Sequence, residues 1–442
     1  MKAISLAQLA DWRLAFGENP LHQVIANAII KNGVQAVAQQ RTRITELNYA
    51  FSHEVPTPAI THQRQSGRCW IFAGLNVIRQ NVAEKLGVKE FELSQAYLMF
   101  YDKLEKANYF LESILKTVDE PLEGRLLSWL LAAPLQDGGQ WDMFVSLVDK
   151  YGVVPKDVMP ESFHSSNSRH MNQLVTAKLR EDAATLRQLA KSENNREALS
   201  HRKSKMVADI YRMLAHFLGE PPQTFDFEYR DDNHAYHADR GIRPKEFFDK
   251  YATIALNDYV SIINAPTADK PFGRSYTVDY LGNVTGGQGV LYLNLPGERF
   301  QQIASQQLEE GAPVWFGCDV GKMSERDTGI LDVDQFDYDA ALGVTLHMTK
   351  GERLAYGESQ MTHAMVLIGV NLVDGHPNRW KVENSWGPDV GRQGFFIMSD
   401  AWFHEYVYQI VAHKKYLSDA ERAALDAPPV VLPPWDPMGS LA

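Results

Sequence analysis

The chain has 442 residues, 45% hydrophobic and 22% charged, with a formal net charge of −11. This is ordinary globular composition, enough for roughly three domain-sized units and a sizeable core. The acidic balance argues against a general nucleic-acid surface while leaving room for a local basic channel. The sequence has no apolar run of about 18 residues that would span a membrane, and its two cysteines give no disulfide framework. Residues 1–12 are too interrupted for a secretory signal. A cytoplasmic, reducing location is expected, one that would keep a reactive thiol alive.

Residues 5–50 read as helix, with Ser5 as N-cap and a second amphipathic run over 21–38. Pro56 and Pro58 break the pattern. Without a secretory signal, residues 1–60 are expected to be a permanent N-terminal helical arm rather than a removable pro-segment. The stretch 63–75 follows. Its polar half reads as loop, and from Trp70 onward Ile71, Leu75, Ile78, Val82 and Leu86 mark one buried helix face. Cys69 therefore sits at the first turn, where unpaired N–H groups and the positive dipole end favour a thiolate. Gln63, six residues upstream, is placed to aim its amide at the same spot as the Cys69 N–H. Two donors beside a thiolate describe an oxyanion hole. An inert buried thiol that merely starts a core helix is the commoner fate of a lone cysteine, so the stretch needs a base from elsewhere.

Ser94 is expected to cap a helix running to Ile114, and residues 126–131 continue the helical character. Gly138 and Gly139 in the turn 137–142 offer either a substrate-binding edge or a plain turn. Residues 170–218 form a charged helical pair carrying no chemistry. Its second member has apolar positions at Met206, Val207, Ile210, Met213, Leu214 and Phe217, closed by Gly219. Asp231, Asp232, His234, His237 and Asp239 match no standard metal spacing and read as a solvated polar loop. Strands are expected from Tyr251 onward, at 259–263, 289–293 and 313–320, with Cys318 in the core. The glycine-rich segment 282–289 lacks the ending of a phosphate loop.

Near the C-terminus, His363 opens a buried strand over 362–370, a turn follows at Asp374-Gly375, and residues 379–387 return. Asn384 falls on the face of Trp380 and Val382, across from the start of the His363 strand. Its amide oxygen is placed to accept from one imidazole nitrogen while the other faces Cys69, with Trp386 covering the bond. Alone, His363 reads as a core histidine and Asn384 as a turn residue. Together with Cys69 they supply the three roles of a thiol-protease site in the expected chain order.

Gln63-x5-Cys69-Trp70, a later His opening an apolar strand, and Asn384-Ser385-Trp386-Gly387 resemble the signatures of papain-like cysteine peptidases. Ser-Gly-Arg-Cys-Trp at 66–70, Met-Thr-His-Ala-Met at 361–365, Val-Glu-Asn-Ser-Trp-Gly at 382–387 and the tail from Trp435 resemble the bleomycin hydrolase / aminopeptidase C branch, over essentially the whole chain. His62 departs from the Asn or Asp usual there. Cys69 and His363 lie 294 residues apart (363 − 69), against roughly 130–150 in simple papain-like enzymes.

The resemblance implies an α+β, papain-like two-lobed fold. Residues 61–165 would form the helical lobe with Cys69, and 256–425 the β-barrel-like lobe with His363 and Asn384. Residues 166–255 would be an insertion used in assembly, and 426–442 an arm into the cleft. It implies a thiolate–imidazolium pair of Cys69 and His363, oriented by Asn384, with Gln63 in the oxyanion hole, Trp70 and Trp386 in support, and neither metal nor cofactor. On residues alone, the Pro-rich segment 427–435 is equally compatible with a disordered tail and a docked arm. The resemblance favours the arm, with the Ala442 carboxylate pairing with a substrate's free α-amino group beside Gly138 and Gly139. That implies an aminopeptidase acting on peptides as a homohexamer. The rivals are an endopeptidase of the same family and a non-catalytic assembly or nucleic-acid-binding protein on the same fold.

Overall fold

Ser5 caps the first helix, Leu6–Glu18: its hydroxyl accepts the Gln8 N–H while the Gln8 side chain accepts the Ser5 N–H. A computed structural model of the chain describes residues 1–192 and 196–441. The turn joining the helical pair, and Ala442 with its expected carboxylate contact, lie outside the described residues. The expected run 21–38 is divided into Pro20–Asn32 and Val34–Ala38, because the Gly33 N–H turns back to the Ile29 carbonyl and closes the first helix. Helix ends at Glu46 rather than near 50, and the chain then crosses to the sheet as His53–Glu54, paired with Val370 and Gly369.

The helical half is built on Cys69–Leu86, Gln95–Lys116, Arg125–Ala132 and Trp141–Tyr151. The expected stripe of Ile71, Leu75, Ile78, Val82 and Leu86 is buried, and the Ser94 hydroxyl accepts the Tyr97 N–H at 3.1 Å as cap. The long pair Arg169–Ser192 and Arg196–Leu218 packs on Gln95–Lys116, burying Met206, Ile210 and Leu214.

Residues 231–239 are not a free polar loop. They turn and return in a hairpin of Phe225–Arg230 with Tyr236–Ile242. Asp231 organises the turn by accepting the N–H groups of Asn233 and Ala235. The alternation of Phe225, Phe227 and Tyr229 marks the hairpin's inner face. Among the described residues no group of three or more His, Cys, Asp or Glu is placed to hold a metal, and no helix is long and apolar enough to cross a membrane.

A twelve-stranded sheet forms the other half. The His363–Val373 strand lies between Val314–Cys318 and His376–Glu383, antiparallel to both. The return strand therefore starts earlier than expected and ends at Glu383, paired with Val366, leaving Asn384 just past the ladder. On the other side, Val314–Cys318 pairs with Val407–His413, which pairs with Tyr259–Ile263. The strand expected at 289–293 occupies Tyr292–Asn294 instead, and the Val290 carbonyl accepts the Thr277 hydroxyl. The segment 427–435 is docked, with Val430–Leu432 extending the sheet parallel to Arg274–Val278.

Asp142, fully buried in the first turn of Trp141–Tyr151, joins the two halves. Its carboxylate accepts from the Ser261 hydroxyl at 3.1 Å and the Gln288 amide at 3.0 Å. Burial pushes its pKa up to about 7, and these neutral donors only partly oppose the shift. An acid whose folded pKa is raised loses its proton first in the unfolded chain. Its contribution therefore falls as pH rises from the ordinary carboxylate range to about 7, then levels. Asp142→Asn should abolish this fall, so that between pH 5 and pH 8 the variant gains roughly 3 kcal/mol relative to the parent. Urea unfolding of both proteins at pH 5 and 8 measures it.

Candidate active site

Cys69 is the first residue of its helix, and Arg68 in the cap position makes no side-chain cap bond. The first-turn N–H groups are thus left to the thiol and to whatever binds beside it. Arg68 is engaged elsewhere: its Nε donates to Ser66 Oγ at 2.8 Å, and its two terminal nitrogens to Glu161 at 3.0 and 2.9 Å. This bidentate pair fixes the loop that delivers Gln63.

The Gln63 amide is oriented at both ends. Ser385 Oγ donates to its Oε1 at 2.6 Å, and its Nε2 donates to the Ser66 carbonyl at 2.6 Å. The second Nε2 hydrogen is not used by either bond. Asp137 braces the same loop. It accepts from the Gly67 N–H at 3.1 Å, Ser168 Oγ at 2.5 Å, Asn172 Nδ2 at 2.7 Å and Lys103 Nζ at 2.5 Å. Burial raises its pKa, but Lys103 and these donors win and hold the carboxyl well below the usual range. The Asp137 carbonyl accepts the Trp70 indole N–H at 2.8 Å.

Gly138 is half-buried and its carbonyl accepts Lys106 Nζ at 2.6 Å. Gly139 is buried flat against Trp70: a Cβ there would stand 2.5 Å from the indole. The need for glycine at 139 is thus set by Trp70, and only Gly138 of the two presents an edge.

His363 begins its strand buried, 2.9 Å from Asn384 through Nε2 and Oδ1. Oδ1 is an acceptor only, so Nε2 carries the hydrogen and Nδ1 the lone pair. Asn384 Oδ1 also accepts the Ser385 N–H at 2.7 Å, which fixes the amide. Trp386 lies over the imidazole at 4.9 Å between centroids. Gly387, φ 82°, lets the chain turn away beneath His62, whose ring a Cβ would meet at 2.5 Å. His62 itself bridges to Trp386 at the back of the site.

The Cys69 thiol lies against the Ala364 N–H, adjacent in the chain to His363. Burial pushes the thiol up to about 11 against the pull of the Ala364, Trp70 and Cys69 N–H groups. Burial likewise lowers His363 to about 4, against the Asn384 bond. Desolvation therefore opposes the expected thiolate–imidazolium pair. The thiolate is favoured by these N–H donors, the imidazolium by the Asn384 oxygen, and each by the other as counterion. Cys318, the cross-strand partner of His363, is a buried core thiol with its pKa pushed well up by burial.

Between the halves run the last described residues. Gln140 Nε2 donates to the Ser440 carbonyl at 2.6 Å. Residues 434–437 and 439–441 share a groove with Gln136 and with Met361 and Thr362, just before His363.

The Peptidase C1-like family model matches residues 3–439. The chain belongs to the Peptidase C1-like family. It is 49% identical over 439 residues to aminopeptidase C of Listeria innocua serovar 6a, covering 99% of each chain. To aminopeptidase G of Lactobacillus delbrueckii subsp. lactis it is 44% identical over 433 residues, 98% of each. The crystal structure of PepW from Lactobacillus rhamnosis HN001 superimposes with a TM-score of 0.98 at 50% identity, covering 100% of this chain and 99% of that one. The fold is the papain-like α+β arrangement.

Sequence reasoning on this Peptidase C1-like chain missed Asp137, Ser385 and a buried ion pair behind the site. Arg79 Nη2, on the Cys69 helix, meets Glu383 Oε1 at 2.5 Å, and Asn76 Nδ2 donates to the same oxygen at 2.9 Å. Glu383 immediately precedes Asn384, and the Val-Glu-Asn-Ser-Trp-Gly string was the available signal. Removing one partner of such a pair strands a buried charge. Arg79→Met should cost roughly 3–5 kcal/mol, and Glu383→Gln added to it should return much of the loss. Denaturant unfolding of the single and double variants checks this.

Proposed function

We propose that this protein is a cytoplasmic cysteine aminopeptidase that removes N-terminal residues from peptides without metal or cofactor. The observation that carries the reading is the convergence of Gln63, Cys69, His363 and Asn384 where the chain's own end runs between the two halves. The names and full-length similarity of the aminopeptidase C relatives support the same activity.

In this reading His363 takes the Cys69 proton through Nδ1 while Asn384 holds the ring by Nε2. The sulfur attacks the scissile carbonyl, forming a C–S bond and an oxyanion. The free Gln63 Nε2 hydrogen and the Cys69 N–H receive that oxyanion, each good donor being worth on the order of 3–4 kcal/mol. His363 returns the proton to the leaving amine as the C–N bond breaks, and water, activated by the same imidazole, hydrolyses the thioester. Trp386 shields the His363–Asn384 bond from water, and Trp70 seats the 137–139 segment. Gly138 offers an edge to the substrate backbone. The terminal carboxylate of Ala442, one residue past the docked Leu441, pairs with the substrate's α-ammonium and closes the cleft to longer chains.

A homohexamer with 166–255 as assembly element belongs to the same proposal. Supporting association are the apolar residues that the first two helices leave exposed: Leu6, Trp12 and Leu14 on one, Leu21, Val24 and Ile30 on the other.

Cys69→Ala should abolish hydrolysis and keep the native circular dichroism spectrum. An active Cys69→Ala protein would contradict the assignment. The full-length enzyme should prefer free-amino substrates over their amino-blocked counterparts, and removal of residues 438–442 should erase that preference and open endopeptidase activity. Full-length enzyme that cleaves both alike would instead indicate an endopeptidase of the family.

A further inference from the structure

The end of the chain is fastened at alternate residues by three separate elements. Asp436 Oδ2 meets Lys270 Nζ at 2.8 Å, with the two side chains 6% and 2% exposed. Its other oxygen accepts the Met438 N–H at 2.8 Å, capping the turn Pro437–Gly439. The buried Tyr292 hydroxyl donates to the Met438 carbonyl at 3.1 Å, and Gln140 donates to that of Ser440. Upstream, the Arg125 guanidinium lies 3.9 Å over the Trp435 ring. Lys270 and Tyr292 belong to the sheet half, Gln140 and Arg125 to the helical half. The last residues are thus tied across the cleft.

Of these ties the Lys270–Asp436 pair is the only one between opposite charges, and it is nearly dry. Lys270 also reaches Asp269 at 2.6 Å, but that carboxylate is 62% exposed and mostly solvated. The Lys270 backbone is itself pinned, its carbonyl accepting Asn294 Nδ2 at 2.7 Å. A single carboxylate therefore joins the arm to the sheet half and folds the turn that aims its last residues. Without Lys270, Asp436 becomes an uncompensated buried anion, a cost that the turn relieves by leaving its seat.

We propose that the Lys270–Asp436 pair is a latch that sets how far the chain end reaches along the cleft. Lys270 is then a positioning residue for substrate length and for recognition of the free α-amino group. The proposal rests on the reading that the chain end closes the cleft. The substrates it concerns are peptides whose amino terminus must stop at that end. Releasing the latch admits amino-blocked and longer peptides and weakens binding of the α-ammonium, with the reacting groups untouched.

The test compares kcat/KM for a fluorogenic free-amino peptide and its N-acetylated form. The proteins are the full-length enzyme, the enzyme lacking 438–442, and Lys270→Met, Lys270→Arg and Asp436→Asn, each normalised to titratable Cys69. Truncation should raise the blocked-to-free ratio. Lys270→Met should raise it by about tenfold or more, largely through a higher KM for the free-amino substrate, and Asp436→Asn should follow. Lys270→Arg, which restores the charge, should stay within roughly threefold of the parent. A general structural role would lower both substrates together and leave the ratio in place. If truncation shifts the ratio while Lys270→Met and Asp436→Asn do not, the latch is overturned and the role of the chain end stands. If truncation leaves it unchanged, the reading of the chain end fails and the latch with it. Should Lys270→Met not fold, Asp436→Asn, which changes only the arm's side of the pair, decides.

Discussion

A buried ion pair joins the helix that begins at Cys69 to the strand that ends beside Asn384. Arg79 lies on the buried side of that helix, and Glu383 is the last paired residue before Asn384. Arg79 also donates to the Ala59 carbonyl at 2.9 Å, so the approach to Gln63 is tied to the same guanidinium. Gln63 and Cys69, six residues apart, are thereby held against Asn384 from a distant part of the chain. A buried pair of this kind adds little net stability because both charges are desolvated. It defines position instead, since neither partner can move without stranding the other.

Around that link, smaller contacts set individual atoms. Ser385 turns the Gln63 amide so that a hydrogen is spare, and its backbone N–H holds the Asn384 oxygen toward His363. One short segment, 383–386, therefore governs the ion pair, the imidazole, the Gln63 amide and the cover over the ring. Burial strengthens every one of these contacts and also opposes charge on Cys69 and His363. The same dry environment that orients the pair makes charge separation depend on local donors.

Much of this was legible in the sequence because it is local. The helix from Cys69 announces itself by apolar spacing, and the His363 strand and its return by a turn at Asp374 and Gly375, both at positive φ. Alternation with Trp380 and Val382 points to Asn384, although the ladder stops one residue before it, at Glu383. What was not legible depends on partners far along the chain. Nothing in the neighbourhood of Asp137 indicates that it will collect Gly67, Lys103, Ser168 and Asn172, and nothing beside Lys270 points to Asp436. The hairpin at 225–242 was passed over for a different reason. Its acidic and histidine residues drew attention to the turn, while the alternating aromatic residues that make the strand lay just upstream.

The central claim is that Cys69 is the one activated thiol in a chain with two. Titration with a thiol-directed, carbonyl-bearing inhibitor, read by intact mass and peptide mapping, tests it most directly. The account predicts one equivalent bound per chain, all of it on Cys69, none on Cys318, and loss of peptide hydrolysis in proportion to labelling. Absence of stoichiometric labelling at Cys69, or activity that survives it, would contradict the account.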